Sequence, residues 1–236
     1  MNEKQNRKLL RNSNLWIVFP VLIIVLLAGI LWSLVQQDDL ERHNVQQQHT
    51  TTLQTAHTRN QETLLMNYMN TISDLMVSDK LLTASTMAPA TVDAEAQTQI
   101  VLRELDANHK GMLMRFLYQT RLINNDYHVI SMANADLRGV HLASLDLRDT
   151  DLTGADLTDA DLRGVNLSYA TLSYVNVTGA NLTGANLYGS ELHNIILSGA
   201  NMARIYMKDA FNLGNTSFTQ AKSLSGATMP DGTKHS

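Results

Sequence analysis

The sequence predicts a solenoid of five-residue repeats, preceded by a transmembrane helix and an α-helical stalk and cap. From Met132 to Met207 every fifth residue is a large aliphatic one, sixteen times in succession. The residue two positions before each of these is small or aliphatic in nearly every repeat. Residues 15–35 form an uncharged, mostly apolar run, and amphipathic segments separate that run from the repeats. These observations together predict the order anchor, helices, solenoid.

A five-residue period fits neither a regular helix nor a regular strand. Five helical residues turn the chain by about 140° net, so the aliphatic positions would be spread around the helix. In a strand they would alternate between the two faces. The period fits a chain that makes one short side and then turns a corner, with both apolar positions pointing inward. Such a unit buries its apolar pair only when it stacks on copies of itself, as in a solenoid.

The repeat unit resembles a known family. The unit Ala155, Asp156 and Leu157, followed by two variable residues, recurs as Ala185, Asn186 and Leu187. Over about residues 130–232 this pattern resembles the pentapeptide-repeat proteins. The resemblance implies a mainly β fold, a right-handed quadrilateral parallel β-helix with four pentapeptides per coil. It also implies that residues 20 apart stack on one face.

The N-terminal region is predicted to anchor the chain in a membrane. We assign residues 1–14 to a cytoplasmic basic tail and residues 15–36 to a transmembrane helix, because about 20 apolar residues cross a bilayer. Trp16 and Trp32 lie near its two ends, where interfacial aromatic residues belong. A cleaved signal peptide is the alternative. The length of the run, and the lack of a small-x-small cleavage site before Gln36, favour an uncleaved anchor.

The flanking basic residues predict the orientation of this anchor. Four basic residues precede the span: Lys4, Arg7, Lys8 and Arg11. Arg42 is the basic residue that follows it closely. The positive-inside rule then places the N-terminus in the cytoplasm and the C-terminal domain outside the cytoplasmic membrane. We therefore expect a single-pass cell-membrane protein whose partners are the membrane and an extracytoplasmic protein, with no nucleic-acid partner.

The segment between the anchor and the repeats is predicted to be helical. We assign residues 37–91 to a helical stalk and loop, with an extended spacer as the alternative for 37–62, an amphipathic helix over 62–83 and a loop over 83–91. Residues 92–129 are predicted to form an N-terminal cap with helices over 93–105 and 109–122, and Asn124, Asn125 and Asp126 as the turn into the repeats. An open solenoid end needs such a cover. We expect Phe116 and Leu117 to lie over Met132 and Leu137. This leader also loosely resembles that of membrane-anchored bacterial pentapeptide-repeat proteins.

The repeat register is lost near the C-terminus. One inserted residue places Leu213 and Phe218 in the inward row, and a second places Leu224 and Met229 there. The β-helix is assigned to residues 130–232, because Pro230 ends pairing and the Asp-Gly pair at 231–232 favours a turn. Residues 233–236 are assigned to a tail.

The composition gives no support for catalysis or for a bound cofactor. The chain has no cysteine, a net charge of −4, and no phosphate-binding glycine loop or metalloprotease motif. The aspartates of the repeats share their position with asparagine, which indicates a solvated surface slot. His43, His49 and His57 lie on the predicted stalk, but a metal site needs three or four converging ligands. We expect a non-enzymatic protein with no catalytic, cofactor or metal site.

The first repeats are acidic, and this leaves a second function open. Their acidic residues are Asp136, Asp146, Asp149, Asp151, Asp156, Asp159 and Asp161. Some pentapeptide-repeat proteins are DNA mimics that bind gyrase through an acidic face, so a cytoplasm-facing gyrase modulator is the alternative function. Interspersed arginines (Arg138, Arg148 and Arg163) and the predicted topology both weigh against it.

Tyrosines form the candidate interaction face. Stacking by 20 brings Tyr169, Tyr188 and Tyr206 to one face, with Tyr174 near the next corner, and exposed tyrosines are typical of recognition surfaces. Aromatic stacking that stabilises the solenoid is the alternative. The sequence thus favours a membrane-anchored protein-interaction or envelope scaffold.

Overall fold

The computed structural model describes residues 15–78, 81, 88–123 and 129–236, and all side chains in these ranges except those of residues 15–21 and 38. The chain divides into two compact units, Met1–Thr58 and Arg59–Ser236. The predicted basic tail, the turn at 124–126, most of the loop over 83–91 and the side chain of Trp16 lie outside the described residues.

A single helix, α1, covers Leu15–Ser78 and is 64 residues long. The amphipathic helix expected over 62–83 is the last part of α1 and ends at Ser78, and residues 37–62 are helical, not extended. Apolar side chains between residues 22 and 35 are exposed. In the part of the chain that the structure describes, one helix is long and apolar enough to cross a membrane.

Two shorter helices follow α1, and both begin earlier than predicted. Helix α2 covers Pro89–Glu104, with proline at its start, where the missing backbone N–H has no helical partner to lose. Helix α3 covers Ala107–Gln119, and the Asp106 side chain caps it by accepting a hydrogen bond from the His109 backbone N–H at 3.0 Å. Proline and aspartate therefore start helices here, where the sequence analysis assigned a loop and a break.

The helices of the second unit are tied together by polar contacts around an apolar centre. The Gln61 side chain donates to the Glu104 carbonyl at 3.2 Å and accepts from the Asp106 N–H at 2.9 Å. The hydroxyls of Tyr68 and Thr98 are 2.5 Å apart in the interior. Ile72 and Leu102 are fully buried in the apolar centre beside these contacts.

Helices α2 and α3 lie against the first coil of the repeats. Lys110 Nζ is 3.2 Å from Asp136 Oδ1, and the His141 N–H donates to the Ala107 carbonyl at 3.3 Å. Gly111 approaches the His141 carbonyl so closely that a Cβ would collide with it. Leu117 is fully buried, whereas Phe116 is only half-buried. The cap contact thus includes a buried charge pair as well as apolar side chains.

The repeats coil so that residues 20 apart form parallel β-bridges, from Asp136 with Asp156 up to Glu191 with Phe211. The predicted inward rows are buried throughout residues 130–207. Most corners are turns of the kind made by Leu137 and Val140, with an N–H to carbonyl bond of 3.1 Å and a left-handed φ of +64° at Gly139. A left-handed third residue is the signature of a type II turn.

The expectation of a mainly β fold needs correction. Within the described residues the sides of the coil are isolated one-residue bridges, and none extends into a strand. The physical reason is the repeat length, because a four-residue turn leaves one residue of each pentapeptide free to bridge. The solenoid therefore keeps the stacking of a parallel β-helix without its strands.

The C-terminal end changes register as predicted. Asn201 pairs with Ser223 and Tyr206 with Thr228, a separation of 22 residues in place of 20. Leu213, Phe218, Leu224 and Met229 pack against the core and are half-buried. Leu224 and Met229 directly follow the bridging residues Ser223 and Thr228, so they take the inward positions that Met202 and Met207 hold one coil earlier. Residues 233–236 are not a free tail, because Lys234 pairs antiparallel with Thr228 across a turn at Gly232.

Candidate interaction face

One face of the coil, here called the tyrosine face, is defined by the bridged column Asp146, Asn166, Asn186 and Tyr206. Asn166 Nδ2 donates to Asp146 Oδ1, and Asn186 Nδ2 donates to Asn166 Oδ1, both at 3.1 Å. This amide ladder ties neighbouring coils together, because each side chain satisfies the next. The tyrosines lie next to this regular column of hydrogen-bonded side chains.

Three of the four predicted tyrosines form a continuous line, here called the tyrosine ladder. The rings of Tyr169 and Tyr188 meet edge to face at 5.5 Å, and those of Tyr188 and Tyr206 stack at 6.1 Å with an angle of 15°. Tyr169 is 53% exposed and Tyr206 is 39% exposed. The ladder therefore presents ring surface to solvent at both ends.

Tyr174 does not belong to this ladder. It packs edge-on against His193 at 5.1 Å and is 56% exposed. Five residues carry the chain around one corner of the coil, so Tyr174 lies one corner beyond Tyr169. The expected cluster of four tyrosines is corrected to a ladder of three and a separate Tyr174–His193 pair.

Tyr169 and Tyr174 occupy corner positions with a left-handed φ of +61° each. Most other corners of the repeat carry glycine, asparagine or aspartate at this position. A left-handed conformation costs an L-residue about 1–2 kcal/mol relative to its right-handed counterpart. Neither tyrosine is therefore explained by the local requirements of the turn.

Gly189 makes room for the Tyr169 ring, and sequence reasoning missed this role. A Cβ at Gly189 would lie 2.9 Å from both Cδ1 and Cε1 of Tyr169. The signal is visible only after stacking, because the two residues are 20 apart in sequence. The exposed position of the Tyr169 ring thus depends on a glycine in the next coil.

The electrostatics of the ladder centre on its middle member. The Asp209 carboxylate accepts a hydrogen bond from the Tyr188 hydroxyl and raises the pKa of that hydroxyl. Tyr188 therefore stays protonated and donating at neutral pH.

Arginines pair closely with three of the seven aspartates of the first coils. Three Asp-Leu-Arg triplets form two-pronged ion pairs with closest contacts of 2.7, 2.8 and 2.7 Å: Asp136–Arg138, Asp146–Arg148 and Asp161–Arg163. The arginine hydrogen bonds hold the pKa of Asp136 and of Asp161 below the usual range. Spacing by two places both side chains on one side of the coil, a signal that the sequence contains.

The other predicted site residues do not converge. Among the described residues, no three histidine, aspartate or glutamate side chains are placed to hold a metal ion. His43, His49 and His57 lie exposed along α1, as does Trp32. The tyrosine ladder is thus the arrangement with the clearest potential for recognition.

Comparison with known proteins matches the repeat region. A family model described as pentapeptide repeats matches residues 130–168 and 166–204, with eight copies. No curated protein sequence matches the chain.

Several solved protein structures are similar to part of this chain. A pentapeptide repeat protein from the thylakoid lumen of Arabidopsis thaliana is 33% identical over 32% of this chain, with a TM-score of 0.28, and the match spans 60% of that protein. A pentapeptide repeat protein from Nostoc is 29% identical over 36% of this chain and 84% of its own, with a TM-score of 0.23. QnrB1, a plasmid-mediated fluoroquinolone resistance protein, is 21% identical over 42% of this chain and 60% of its own, with a TM-score of 0.29. Each alignment covers less than half of this chain.

Proposed function

We propose that the chain is a non-enzymatic, membrane-anchored pentapeptide-repeat scaffold that binds a protein partner through the tyrosine ladder. The match of residues 130–168 and 166–204 to the pentapeptide-repeat model supports the repeat part of this proposal. The inward rows of the repeat are explained by burial alone, so they carry the fold. A function has to reside in what the coil presents outward.

The observation that carries this proposal is the exposed, contiguous ladder of Tyr169, Tyr188 and Tyr206. Tyrosine is enriched in protein interfaces because it offers a large, rigid contact area with a polar tip. The alternative role, stabilisation by stacking, is opposed by the left-handed φ of Tyr169. A residue kept only for stability has no reason to occupy a position that suits glycine better.

The anchor is supported by helix α1 and by the distribution of basic residues. The apolar segment near the start of α1 meets the length and composition needed to cross a bilayer. Lysine and arginine are concentrated before this segment. By the positive-inside rule the repeats then face away from the cytoplasm, with Trp16 and Trp32 as interfacial anchors.

The experiment that tests partner binding is a crosslinked pull-down of the full chain from membranes. The Tyr188→Ala, Tyr206→Ala double variant should lose a crosslinked species that the native chain captures. The matched control is Tyr174→Ala, which removes an exposed tyrosine one corner away. Equal capture by all three proteins would show that the ladder is not the contact surface.

A reporter fused after Ser236 tests the topology. A reporter that fluoresces only in the cytoplasm should stay dark, whereas one active only outside should give signal. Cytoplasmic fluorescence would contradict the extracytoplasmic proposal and reopen the gyrase-modulator alternative. The paired arginines of the first coils argue against that alternative on charge.

A further inference from the structure

The tyrosine ladder borders a corner of the coil that is acidic over several layers. Backbone N–H groups of Asp149, Tyr169 and Gly189 donate to the coil above at 2.9–3.1 Å, which stacks Asp149, Tyr169, Gly189 and Asp209 in one column. The first residues of the adjoining face form a second column by β-bridges: Asp151, Thr171, Glu191 and Phe211. Phe211 is 55% exposed. Aromatic rings and carboxylates thus alternate along one edge.

We call this edge the tyrosine–acid ridge, and its members are Tyr169, Tyr188, Tyr206, Phe211, Asp149, Asp151, Glu191 and Asp209. Within the described part of the chain, none of its four carboxylates takes part in an ion pair. Asp151 accepts a hydrogen bond from the Thr153 hydroxyl, and Glu191 accepts one from the Asn212 side chain, both of which are neutral donors. The ridge therefore keeps its negative charge, unlike the Asp-Leu-Arg triplets of the first coils.

The nearest basic residues do not cancel this charge. Arg148 lies on the tyrosine face below the ladder, but it is paired with Asp146, with Nη2 2.8 Å from Oδ2. Lys208 follows Met207 in the top coil and is exposed. Arg204 is also exposed, at the corner before Tyr206. Two basic residues beside four carboxylates leave an excess of negative charge next to the exposed rings.

This combination fits one class of ligand, and we propose that the ridge binds an extended, arginine-bearing segment of the protein partner. The proposal rests on the proposed function and adds the chemistry of the partner. A guanidinium is planar, stacks on aromatic faces and pairs with carboxylates through two parallel hydrogen bonds. Nucleic acid and anionic lipid surfaces are repelled by the same charges.

The spacing of the ladder suits alternate arginines. Ring centroids along it step by 5.5 and 6.1 Å. In an extended peptide, side chains at i and i+2 point the same way and lie about 6.7 Å apart. Two such arginines therefore reach successive rings of the ladder, with Asp209 beside one end and Asp149 beside the other.

The test measures binding of a short fluorescent peptide, with arginine at alternate positions, to the full chain in detergent micelles. Tyr169→Gly removes one ring and places glycine where other corners have it, so the fold is retained. Asp209→Asn removes one charge and keeps a residue that tolerates a left-handed φ. Tyr174→Gly and Asp159→Asn make the same changes at other corners and serve as matched controls.

Each ridge variant should raise the dissociation constant of the peptide about two- to fivefold, as expected for the loss of one exposed cation–π or carboxylate contact. Both controls should bind as the native chain does, and a citrulline version of the peptide should bind poorly. Equal losses in ridge and control variants, or full binding of the citrulline peptide, would overturn the proposal. If the tyrosine variants lose the crosslinked partner but bind the arginine peptide as the native chain does, this inference fails and the proposed function stands. If the tyrosine variants capture the crosslinked partner as well as the native chain does, the proposed function fails.

Discussion

Substitution of Gly189 by alanine tests the geometry on which the ladder depends. Gly189 has a φ of +62°, and an added Cβ would lie 2.9 Å from two ring carbons of Tyr169. Gly184 has a φ of +69° and nothing within 4 Å of its Cβ position. The two glycines therefore share the backbone cost and differ in the clash.

We expect Gly184→Ala to lower the free energy of unfolding by about 1–2 kcal/mol, the cost of a left-handed alanine. Gly189→Ala should cost about 0.5–1.5 kcal/mol more, because the half-exposed Tyr169 ring has to leave its rotamer to make room for the methyl group. Urea unfolding of the full chain, followed by the near-ultraviolet circular dichroism of its tyrosines, measures both values.

A double variant separates the clash from any other effect. When Gly189→Ala is combined with Tyr169→Gly, the excess over Gly184→Ala should disappear, since the ring that it meets is gone. The reasoning is refuted if Gly189→Ala and Gly184→Ala cost the same in the presence of Tyr169. The ring would then not lie over Gly189, and the exposed ladder would lose its structural support.

Three further predictions concern stability. The Thr150 hydroxyl is buried and, among the described residues, has no hydrogen-bond partner; Thr150→Val should raise the free energy of unfolding by about 1 kcal/mol, and an unchanged or lower value in urea unfolding would contradict this. Leu167 is fully buried, so Leu167→Asp should cost more than the about 1.5–3 kcal/mol of losing a buried leucine, because it also buries a charge; a thermal midpoint like that of the exposed-corner control Tyr174→Asp would show that Leu167 does not point inward. The Arg138 hydrogen bond lowers the pKa of Asp136, so its stabilisation is present above the unfolded pKa of about 3.9 and is lost as the pH falls below it. Asp136→Asn should flatten this acid limb of the stability profile, and an unaltered slope would argue against the pair.

Much of the solenoid could be predicted from the sequence because its burial pattern is local and repeated. A period of five with two inward positions is visible in any single repeat, and sixteen copies leave no other register. The same counting located the change of register before Ser223, which the 22-residue separation of Asn201 and Ser223 confirms. The starts of helices α2 and α3 were predicted less well. Pro89 and Asp106 suit a loop and a helix start equally until packing decides between them.

The sequence by itself determined the repeat architecture, the apolar anchor segment and the side of the coil that carries Tyr169, Tyr188 and Tyr206. Those properties follow from the period, because hydrophobic burial acts on each residue according to its place in the repeat. Only the tertiary structure decided that Tyr174 packs against His193 and that Gly189 seats the Tyr169 ring. It also decided that, within the described residues, the four ridge carboxylates have no ion pair while Asp136, Asp146 and Asp161 are paired with arginine. Contacts of this kind join residues about one coil apart, and they depend on side-chain size and direction, which a periodic pattern does not specify.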